Sequence, residues 1–491
     1  MRRWGSARPK ISASHEAAGP DFEVASGPSF QGPPGGYREV LRIAVPLILS
    51  TASVTVTLFA DRMFLSWYSL SAVAASTPGG IMFFTICSFF LGTAQYVNTL
   101  VAQHHGSNDK PACSRAVWQG VWFAFLSFPL ILAAIPVGAA VLARSGHDPD
   151  LVRLETEYFS ILMLGGAALP FNAALASFFS GRGKTRVVMW GNLMGNAANV
   201  LLDYLLIFGN LGFPEMGIRG AAIATAVTGI IPPVFWACLF LSRKYQPHYR
   251  SRNEMCLDRR LFELLLRYGV PSGVQFFLDV ASFTAFILLI GRLGETDLAA
   301  TNIVLSIEML SFLPMVGMSI ATAILVGEYI GRSDLRTAER SVYSALRMAL
   351  AYSGILAVLY FLIPEVFIGV FRYGVGNGPE FDAVAKKAVV ILRLIAVFTV
   401  FDTVFIVFSG ALKGAGDTKF AMWAQIIAAW VFFVPPVYVI VEILDMGVTA
   451  AWCWGVAYVV ALGTIFWRRF HSGRWKSIRM IEVKNTNNRC G

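Results

Sequence analysis

The chain has 491 residues, of which 56% are hydrophobic and only 14% are charged. Soluble domains carry about a quarter charged residues, so this composition excludes an ordinary water-soluble protein. The formal net charge of +10 would suit nucleic-acid binding, but the positions of the basic residues decide that question.

Twelve long apolar stretches follow one another along the chain. Each can cross a hydrocarbon core of about 30 Å, because a helix rises about 1.5 Å per residue. The predicted membrane helices cover residues 41–65, 74–103, 116–143, 158–180, 187–210, 216–241, 263–291, 298–330, 338–371, 388–411, 420–442 and 447–467. Stretches such as 81–91 are apolar on every face instead of alternating, which argues against a barrel. We therefore predict an all-α integral membrane protein with 12 transmembrane helices.

The basic residues are concentrated on one side of the predicted membrane. Of the 40 lysines and arginines, nine fall in the odd-numbered loops or adjoining helix ends, and 31 fall in the termini and even-numbered loops. Cytoplasmic loops carry such an excess, so we predict a multi-pass protein of the cell (inner) membrane with both termini cytoplasmic. The excess charge then reflects topology, and no nucleic-acid partner is implied.

Motifs for enzymatic chemistry and transition-metal binding are missing. The six cysteines are scattered without a CxxC pair, and the sequence contains no HExxH and no GxSxG. The segment GRGKT at 181–185 resembles the end of a phosphate-binding loop, but no strand precedes it, and we interpret it as a cytoplasmic turn. We expect no enzyme activity and no cofactor.

The two halves of the chain match each other. At an offset of 225, residues 101–117 align with 326–342; the offset grows to 230 and then to 233, where 181–190 aligns with 414–423. Each copy holds six helices, an even number, so both copies have the same orientation, as in transporters built from parallel repeats. We predict a disordered cytoplasmic tail at 1–36, an N-lobe at 37–251 with helices one to six, a C-lobe at 252–470 with helices seven to twelve, and a cytoplasmic tail at 471–491.

Acidic residues within the predicted spans are the strongest functional signal. An ionised carboxylate in a membrane helix costs about 2.5 to 3.5 kcal/mol on insertion scales, so each one needs a reason to be there. The five candidates are Asp61, Asp203, Asp279, Glu308 and Asp402. No lysine, arginine or histidine is predicted at similar depth, so we expect an acidic interior.

Asp203 belongs to a polar stripe on one helix. It follows Asn196 by seven residues and Asn199 by four, which places the three side chains on one helix face. Such oxygen ligands suit a proton or Na⁺, although hydrogen bonding between helices could also explain them. Asp61 has an alternative explanation too, as an ion pair with the adjacent Arg62 at the helix end.

The second half has its own polar residues. Asp279 follows Gln275 by four residues on one helix face, Asp402 has no cation nearby in sequence, and Glu308 lies in helix eight. In the first helix, Pro46 breaks a backbone hydrogen bond and can form a conformational hinge that responds to Asp61.

Several motifs together resemble the NorM-like branch of the MATE (multidrug and toxic compound extrusion) family. They are FADRMF at 59–64, NLMGNAANVLLDYLLIFG at 192–209, PEMGIRGAAIAT at 214–225, VGEYIG at 326–331 and FDTVFIVFSGALKGAGDT at 401–418. The resemblance covers residues 37–470. It implies a V-shaped pair of six-helix lobes that exports organic cations in exchange for Na⁺ or H⁺.

The resemblance also implies site residues in each lobe. Asp61, Asn199, Asp203 and Thr225 match the N-lobe cation or proton site, and Asp279 and Asp402 match the C-lobe site, to which we add Gln275 and Glu308. Na⁺ could bind at Asp203 or between Asp279 and Asp402. Two positions depart from the family: Asp279 stands where the NorM-like branch usually has Glu, and Phe398 stands where a Tyr is frequent. The missing hydroxyl argues against Na⁺ in the C-lobe.

We therefore predict a monomeric antiporter in the lipid bilayer that exports organic cations or drug-like amphiphiles, a xenobiotic efflux activity coupled to H⁺ or Na⁺ transport. The alternative is a flippase for lipid-linked oligosaccharides or another lipid-like substrate, which should line its cavity with Arg or Lys. A membrane enzyme would need a nucleophile or metal cluster, and a passive channel would show no competition between substrate and ion.

Overall fold

A computed structural model of the protein describes residues 33–144, 147–371 and 379–480. Residues 1–32 and 481–491, to which most of the two predicted tails belong, lie outside this description. Within the described ranges the regular structure is helical, and no strand occurs.

Twelve long helices follow one another in the described part of the chain. We label them α1 (Tyr37–Tyr68), α2 (Ser71–Gly106), α3 (Lys110–Leu142), α4 (Pro149–Ser180), α5 (Thr185–Phe208), α6 (Ile218–Phe240), α7 (Arg259–Gly291), α8 (Glu295–Gly331), α9 (Leu335–Leu362), α10 (Phe381–Ala415), α11 (Thr418–Ile443) and α12 (Gly447–His471). Eleven of them are long and apolar enough to span a membrane; α5 is the twelfth. With 24 residues, α5 is about 36 Å long. Its most apolar stretch has a lower mean hydropathy than those of the other eleven helices, because one face carries asparagines and an aspartate. The predicted layout of twelve helices is confirmed.

Several helices begin earlier than predicted, because an aspartate caps a polar first turn outside the apolar stretch. The Asp148 side chain accepts a hydrogen bond from the Asp150 amide, and α4 begins at Pro149 instead of residue 158. Asp258 caps α7 in the same way, so that helix begins at Arg259. Hydropathy therefore located the membrane-crossing parts of these helices and missed their capped ends.

The internal repeat is visible in the backbone at the turns after α2 and α8. Asn108 and Ser333, 225 residues apart, both adopt a left-handed conformation with φ of 60°. The next residues, Asp109 and Asp334, both cap the following helix through their side chains. Two copies of one helix–turn–helix unit thus sit at equivalent places in the two lobes.

The two lobes meet through pseudo-equivalent pairs of helices. A Cβ on Gly92 of α2 would lie 3.0 Å from the Gly273 Cα of α7, and a Cβ on Gly317 of α8 would lie 2.9 Å from the Ile48 backbone nitrogen of α1. Gly92 and Gly317 are 225 residues apart, as are Ile48 and Gly273. Small residues let membrane helices approach closely, so the repeated glycines serve the contact between the lobes.

The interface is closed on the side that carries the even-numbered loops and the described chain ends, which we call the terminal face; the opposite side is the distal face. There the Gln103 amide of α2 donates a 3.0 Å hydrogen bond to the Gly414 carbonyl oxygen of α10. The Tyr329 hydroxyl of α8 donates to Glu39 Oε2 of α1 at 2.8 Å.

The segment that joins the lobes is anchored to α3. Trp118 Nε1 donates to the Ser251 carbonyl oxygen at 2.7 Å, and Gln119 Nε2 donates to the Cys256 carbonyl oxygen at 3.1 Å. An ion pair of 3.4 Å joins Arg115 to Glu254. The connection is therefore held against the first lobe, and the predicted boundary between residues 251 and 252 falls inside it and stays a prediction.

The residues after α12 form a strap across the terminal face, Gly473–Met480. Trp475 is fully buried against Phe470, and Lys476 pairs with Glu339 of α9 at 2.6 Å. At the end of the strap, Met480 is buried, and its Sδ accepts a 3.0 Å hydrogen bond from the Tyr96 hydroxyl of α2. The strap thus links the second lobe to the first.

Candidate functional site

A ladder of hydrogen bonds fixes the register between α1 and α5. Asn192 Nδ2 donates to Ser50 Oγ at 2.6 Å, and Asn196 Nδ2 donates to Ser53 Oγ at 2.7 Å. Paired positions on these parallel helices are therefore 142 to 143 residues apart. The same register brings Asp203 opposite Asp61.

These two aspartates form the centre of the N-lobe site. Asp61 is 7% exposed and Asp203 is 0% exposed, and their carboxylates are close enough to interact electrostatically. The Tyr158 hydroxyl of α4 donates to Asp61 Oδ2 at 3.5 Å, while Asp61 Oδ1 and both oxygens of Asp203 are buried without a hydrogen-bond partner. Buried acceptors without donors are costly, so this site calls for a proton or a cation.

Of the remaining residues predicted for this lobe, two lie at the cluster's edge. Asn199 Nδ2 donates to Thr225 Oγ1 of α6 at 3.4 Å, one turn from Asp203 on α5. The alternative of an ion pair for Asp61 is not realised, since Arg62 is exposed and no ion pair joins the two side chains. Pro46 is buried inside α1, which runs through it as one helix, so its role as a hinge stays a prediction.

The C-lobe site is organised around Asp279. Gln425 Nε2 of α11 donates to Asp279 Oδ1 at 2.9 Å and to the Tyr458 hydroxyl of α12 at 3.0 Å. The Tyr458 ring stacks on Phe433, with ring centroids 4.4 Å apart. One amide therefore holds the carboxylate next to an aromatic surface.

The other predicted C-lobe residues surround this group. Glu308 is buried in the middle of α8, and the half-buried Asp402 is close enough to interact electrostatically with both Glu308 and Asp279. Gln275 Nε2 donates to Ser409 Oγ at 3.5 Å, and its Oε1 is buried without a partner. Four predicted residues thus gather in one region, in an arrangement that differs from the N-lobe site.

One basic side chain lies within electrostatic range of the C-lobe site, which the expectation of an acidic interior did not include. Lys413 is half-buried on α10, near enough to Asp279 for their charges to attract, and it forms no ion pair with any described carboxylate. Lys413 lies two residues before the end of α10, and its hydropathy assigned it to the following loop. The flexible four-carbon side chain holds the ammonium group several bonds away from the backbone, so the position of Lys413 in the sequence does not show where its charge lies.

Sequence reasoning missed the partners that complete each site. Tyr158, Gln425 and Tyr458 all contact or adjoin a predicted carboxylate. A lone Gln within an apolar span, such as Gln425, was a usable signal, since buried amides need partners. The tyrosines carried no such signal, because aromatic residues are frequent throughout this chain.

Carboxylates, amides and hydroxyls in a water-poor interior can bind and release H⁺ or a hard cation such as Na⁺. In the described part of the chain, no cluster of three or more His, Cys, Asp or Glu side chains could hold a metal ion. The carboxylates, amides and hydroxyls of these two sites fit acid–base and cation-exchange chemistry.

The chain is similar to known membrane transport proteins. The MatE family model matches residues 46–205 and 271–439, once in each lobe. A probable multidrug resistance protein NorM from Thermotoga maritima is 25% identical over 448 residues, which is 89% of this chain and 93% of the relative. A protein of the same description from Pseudomonas putida is 28% identical over 440 residues, 87% of this chain and 92% of the relative.

The fold also matches solved structures. A MATE transporter crystallised in complex with MaL6 superimposes with a TM-score of 0.80 at 20% identity, covering 91% of this chain and 98% of the other. The family model matches well over half of the sequence, and both matched segments lie in the helices that carry the two acidic sites. The chain therefore belongs to the MatE family, and it is a membrane transporter and not an enzyme.

Proposed function

We propose that this protein is a secondary active antiporter that exports organic cations or drug-like amphiphiles in exchange for H⁺ or Na⁺. The observation that carries the proposal is the pair Asp61 and Asp203, buried side by side with three carboxylate oxygens that lack a partner. Two facing carboxylates cannot both stay ionised in a low-dielectric interior without a proton or a cation. The pair is therefore suited to bind the coupling ion.

Coupling follows from competition for these charges. When Asp61 and Asp203 share a proton or Na⁺, one of their two negative charges is neutralised, so the site attracts a positively charged substrate less strongly and the substrate is released. When the ion leaves, the uncompensated carboxylates attract the substrate. The half-buried ring of Tyr458, near Asp279, would bind an organic cation through the face that Phe433 does not cover.

Movement of the lobes would carry the substrate across the membrane. The contacts at Gln103–Gly414 and Tyr329–Glu39 close the terminal face, so this conformation loads ions from the distal side. These contacts must break when the terminal face opens. We place this face in the cytoplasm, because the even-numbered loops carry the basic excess. Pro46 would let α1 bend as the charge on Asp61 changes.

The relatives support the substrate class. Proteins described as probable multidrug resistance protein NorM align with about 90% of this chain. Lys413 is a basic group near the C-lobe site, but a flippase for phosphate-linked lipids would need more than one, and the carboxylates outnumber it. We propose a monomer, because each chain contains both sites.

Transport assays in proteoliposomes would test the proposal. Export of a fluorescent organic cation should accelerate when a H⁺ or Na⁺ gradient is imposed against it, and Asp203→Asn should abolish that acceleration. Transport by Asp203→Asn at the wild-type rate would contradict the assignment. The exposed Asn302→Asp substitution on α8, which adds a carboxylate away from both sites, is the matched control.

A further inference from the structure

A second pair of titratable groups lies near the distal end of α4, outside the sites described above. Glu155 is 0% exposed, and its Oε1 lies 2.7 Å from His147 Nδ1. Its other oxygen, Oε2, is buried without a hydrogen-bond partner. The imidazole side chain is 42% exposed, so one end of this pair is in contact with the distal side and the other is in the interior.

The pair leads towards the N-lobe site. Glu155 precedes Tyr158 by three residues, so both lie on one face of α4, about 4.5 Å apart along its axis. Both also flank the same glycine of α2: a Cβ on Gly79 would lie 2.9 Å from the Glu155 carbonyl oxygen and 3.1 Å from Tyr158 Cδ1. Tyr158 in turn donates to Asp61, which adjoins Asp203.

None of the described charged residues near Glu155 bonds its inner oxygen, Oε2, so Glu155 is the inner end of this path. On α2, which packs against it, the segment Leu70–Gln95 contains no charged residue. The charged residues near the pair, on its own helix and on the helices around it, are Asp61 and Arg62 of α1, Arg144 at the end of α3, Asp148, Asp150, Arg153 and Glu157 at the start of α4, and Arg219 of α6. Glu157 is paired with Arg219, and Arg144 bonds the Ala140 carbonyl oxygen. At the repeat offset of 230, Glu155 faces Ala385, so the second lobe has no equivalent acid.

We propose that His147 and Glu155 form the proton uptake path of the N-lobe site, an inference that rests on the proposed antiport function and assigns H⁺ as the coupling ion. A proton from the distal solution binds one ring nitrogen of His147, and the proton on Nδ1 passes to Glu155 Oε1, which leaves a neutral imidazole. Rotation of the Glu155 carboxyl group then turns its protonated oxygen inward, and the proton is released towards Asp61 along the face that Glu155 shares with Tyr158. Imidazole and carboxylate groups commonly serve such transfers.

The test uses the full-length protein in vesicles with the distal face outward. The initial rate of proton-driven transport of a fluorescent organic cation is measured over a series of external pH values. Glu155→Gln should slow transport about tenfold or more and flatten its dependence on external pH, because a lost general acid–base group typically costs 10²–10⁴-fold. Equilibrium binding of the organic cation should stay unchanged. Glu155→Asp, which keeps a carboxylate, should retain the pH profile.

The matched control is Glu157→Gln, two residues further along α4. It removes a carboxylate of the same helix end that is paired with Arg219, so rate and pH profile should resemble those of the wild type. His147→Ala should be slow like Glu155→Gln, and free imidazole added outside should restore part of the rate, because it can carry the proton to Glu155. A merely structural role for His147 would not be rescued in this way.

Four results would overturn the inference, and the first three separate it from the proposed function. Wild-type rate and pH profile in Glu155→Gln would overturn the path while leaving proton-coupled antiport intact, and a slow His147→Ala variant without rescue by imidazole would do the same. A wild-type protein driven by Na⁺ and unaffected by pH would overturn the path and still support antiport. Transport without any ion gradient effect would refute both.

Discussion

Asn192 on α5 donates a 2.6 Å hydrogen bond to Ser50 on α1, and the register set by this pair brings Asp203 opposite Asp61. The ladder therefore does two things at once. It holds two membrane helices together, and it determines that two acids from distant parts of the sequence share one site. A bend of α1 near these residues would strain the hydrogen bonds between α1 and α5.

Removal of one of the two hydrogen bonds between α1 and α5 should loosen the packing of α1. We expect Asn196→Ala to lower the stability of the protein by about 0.6 kcal/mol, the average for a hydrogen bond between membrane helices, and to weaken ion coupling through a displaced Asp61. Thermal unfolding in detergent and the transport assay would measure the two effects. The control is Asn302→Ala on α8, which removes an exposed amide. Equal behaviour of the two variants would contradict the role of the ladder.

Closure of the terminal face should depend on Gly331. A Cβ at this position would overlap the Gln103 backbone of α2, so Gly331→Ala should push the lobes apart there. In a variant without other cysteines, we expect faster labelling of Ser319→Cys by thiol reagents from the terminal side, because Ser319 lies two residues after Gly317, which packs against Ile48 of α1. Gly354→Ala on α9 is the control, since nothing lies within 4 Å of its added Cβ. Unchanged labelling in Gly331→Ala would show that the contact does not hold the face closed.

The C-lobe site should depend on the amide of Gln425. Gln425→Leu removes the only described donor to Asp279 and should raise the KM for an organic cation by about tenfold, since losing a hydrogen bond to a charged group costs about 1.5–3 kcal/mol. Tyr458→Phe should have a smaller effect, because that hydroxyl contacts Gln425 and not the carboxylate.

A kinetic comparison with Gln95→Leu, which alters an exposed glutamine of α2, would separate this effect from a general loss of polarity. If Gln425→Leu transported with wild-type KM, Asp279 would not be part of the substrate site in the way proposed here.

The strap Gly473–Met480 should stabilise the closed terminal face. Trp475→Ala removes a fully buried indole, and truncation of that size in a core typically costs about 3–5 kcal/mol. We expect a lower unfolding temperature and faster proteolysis of the strap in vesicles whose terminal face is accessible. Trp190→Ala on α5, which removes an exposed indole, should leave both unchanged. Wild-type resistance of Trp475→Ala to proteolysis would mean that the strap is held by other contacts.

Much of the fold could be predicted from the sequence, because long apolar stretches and the repeat at an offset of 225 are local or periodic signals. The spacing of Asn196, Asn199 and Asp203 also predicted a polar helix face that the structure contains. The helix ends could not be located by hydropathy, since caps such as Asp148 lie outside the apolar stretch.

The composition of the sites was harder to predict, for a physical reason. Gln425 and Asp279 meet through tertiary contacts between α11 and α7, and nothing in either local sequence specifies the partner. Lys413 is half-buried near the end of α10, so its proximity to Asp279 depends on how α10 packs. Sequence spacing showed which residues share one helix face, while the partners on other helices required the structure.

The central claim is that export of the organic cation is coupled to an ion through Asp61 and Asp203. The most direct test records both fluxes at once in proteoliposomes, with a fluorescent organic cation and with dyes for internal pH and Na⁺. We expect opposite fluxes in a fixed ratio for the wild-type protein and neither flux for Asp203→Asn at equal amounts of folded protein. Export of the cation without a counterflow, or a fixed ratio retained by Asp203→Asn, would contradict it.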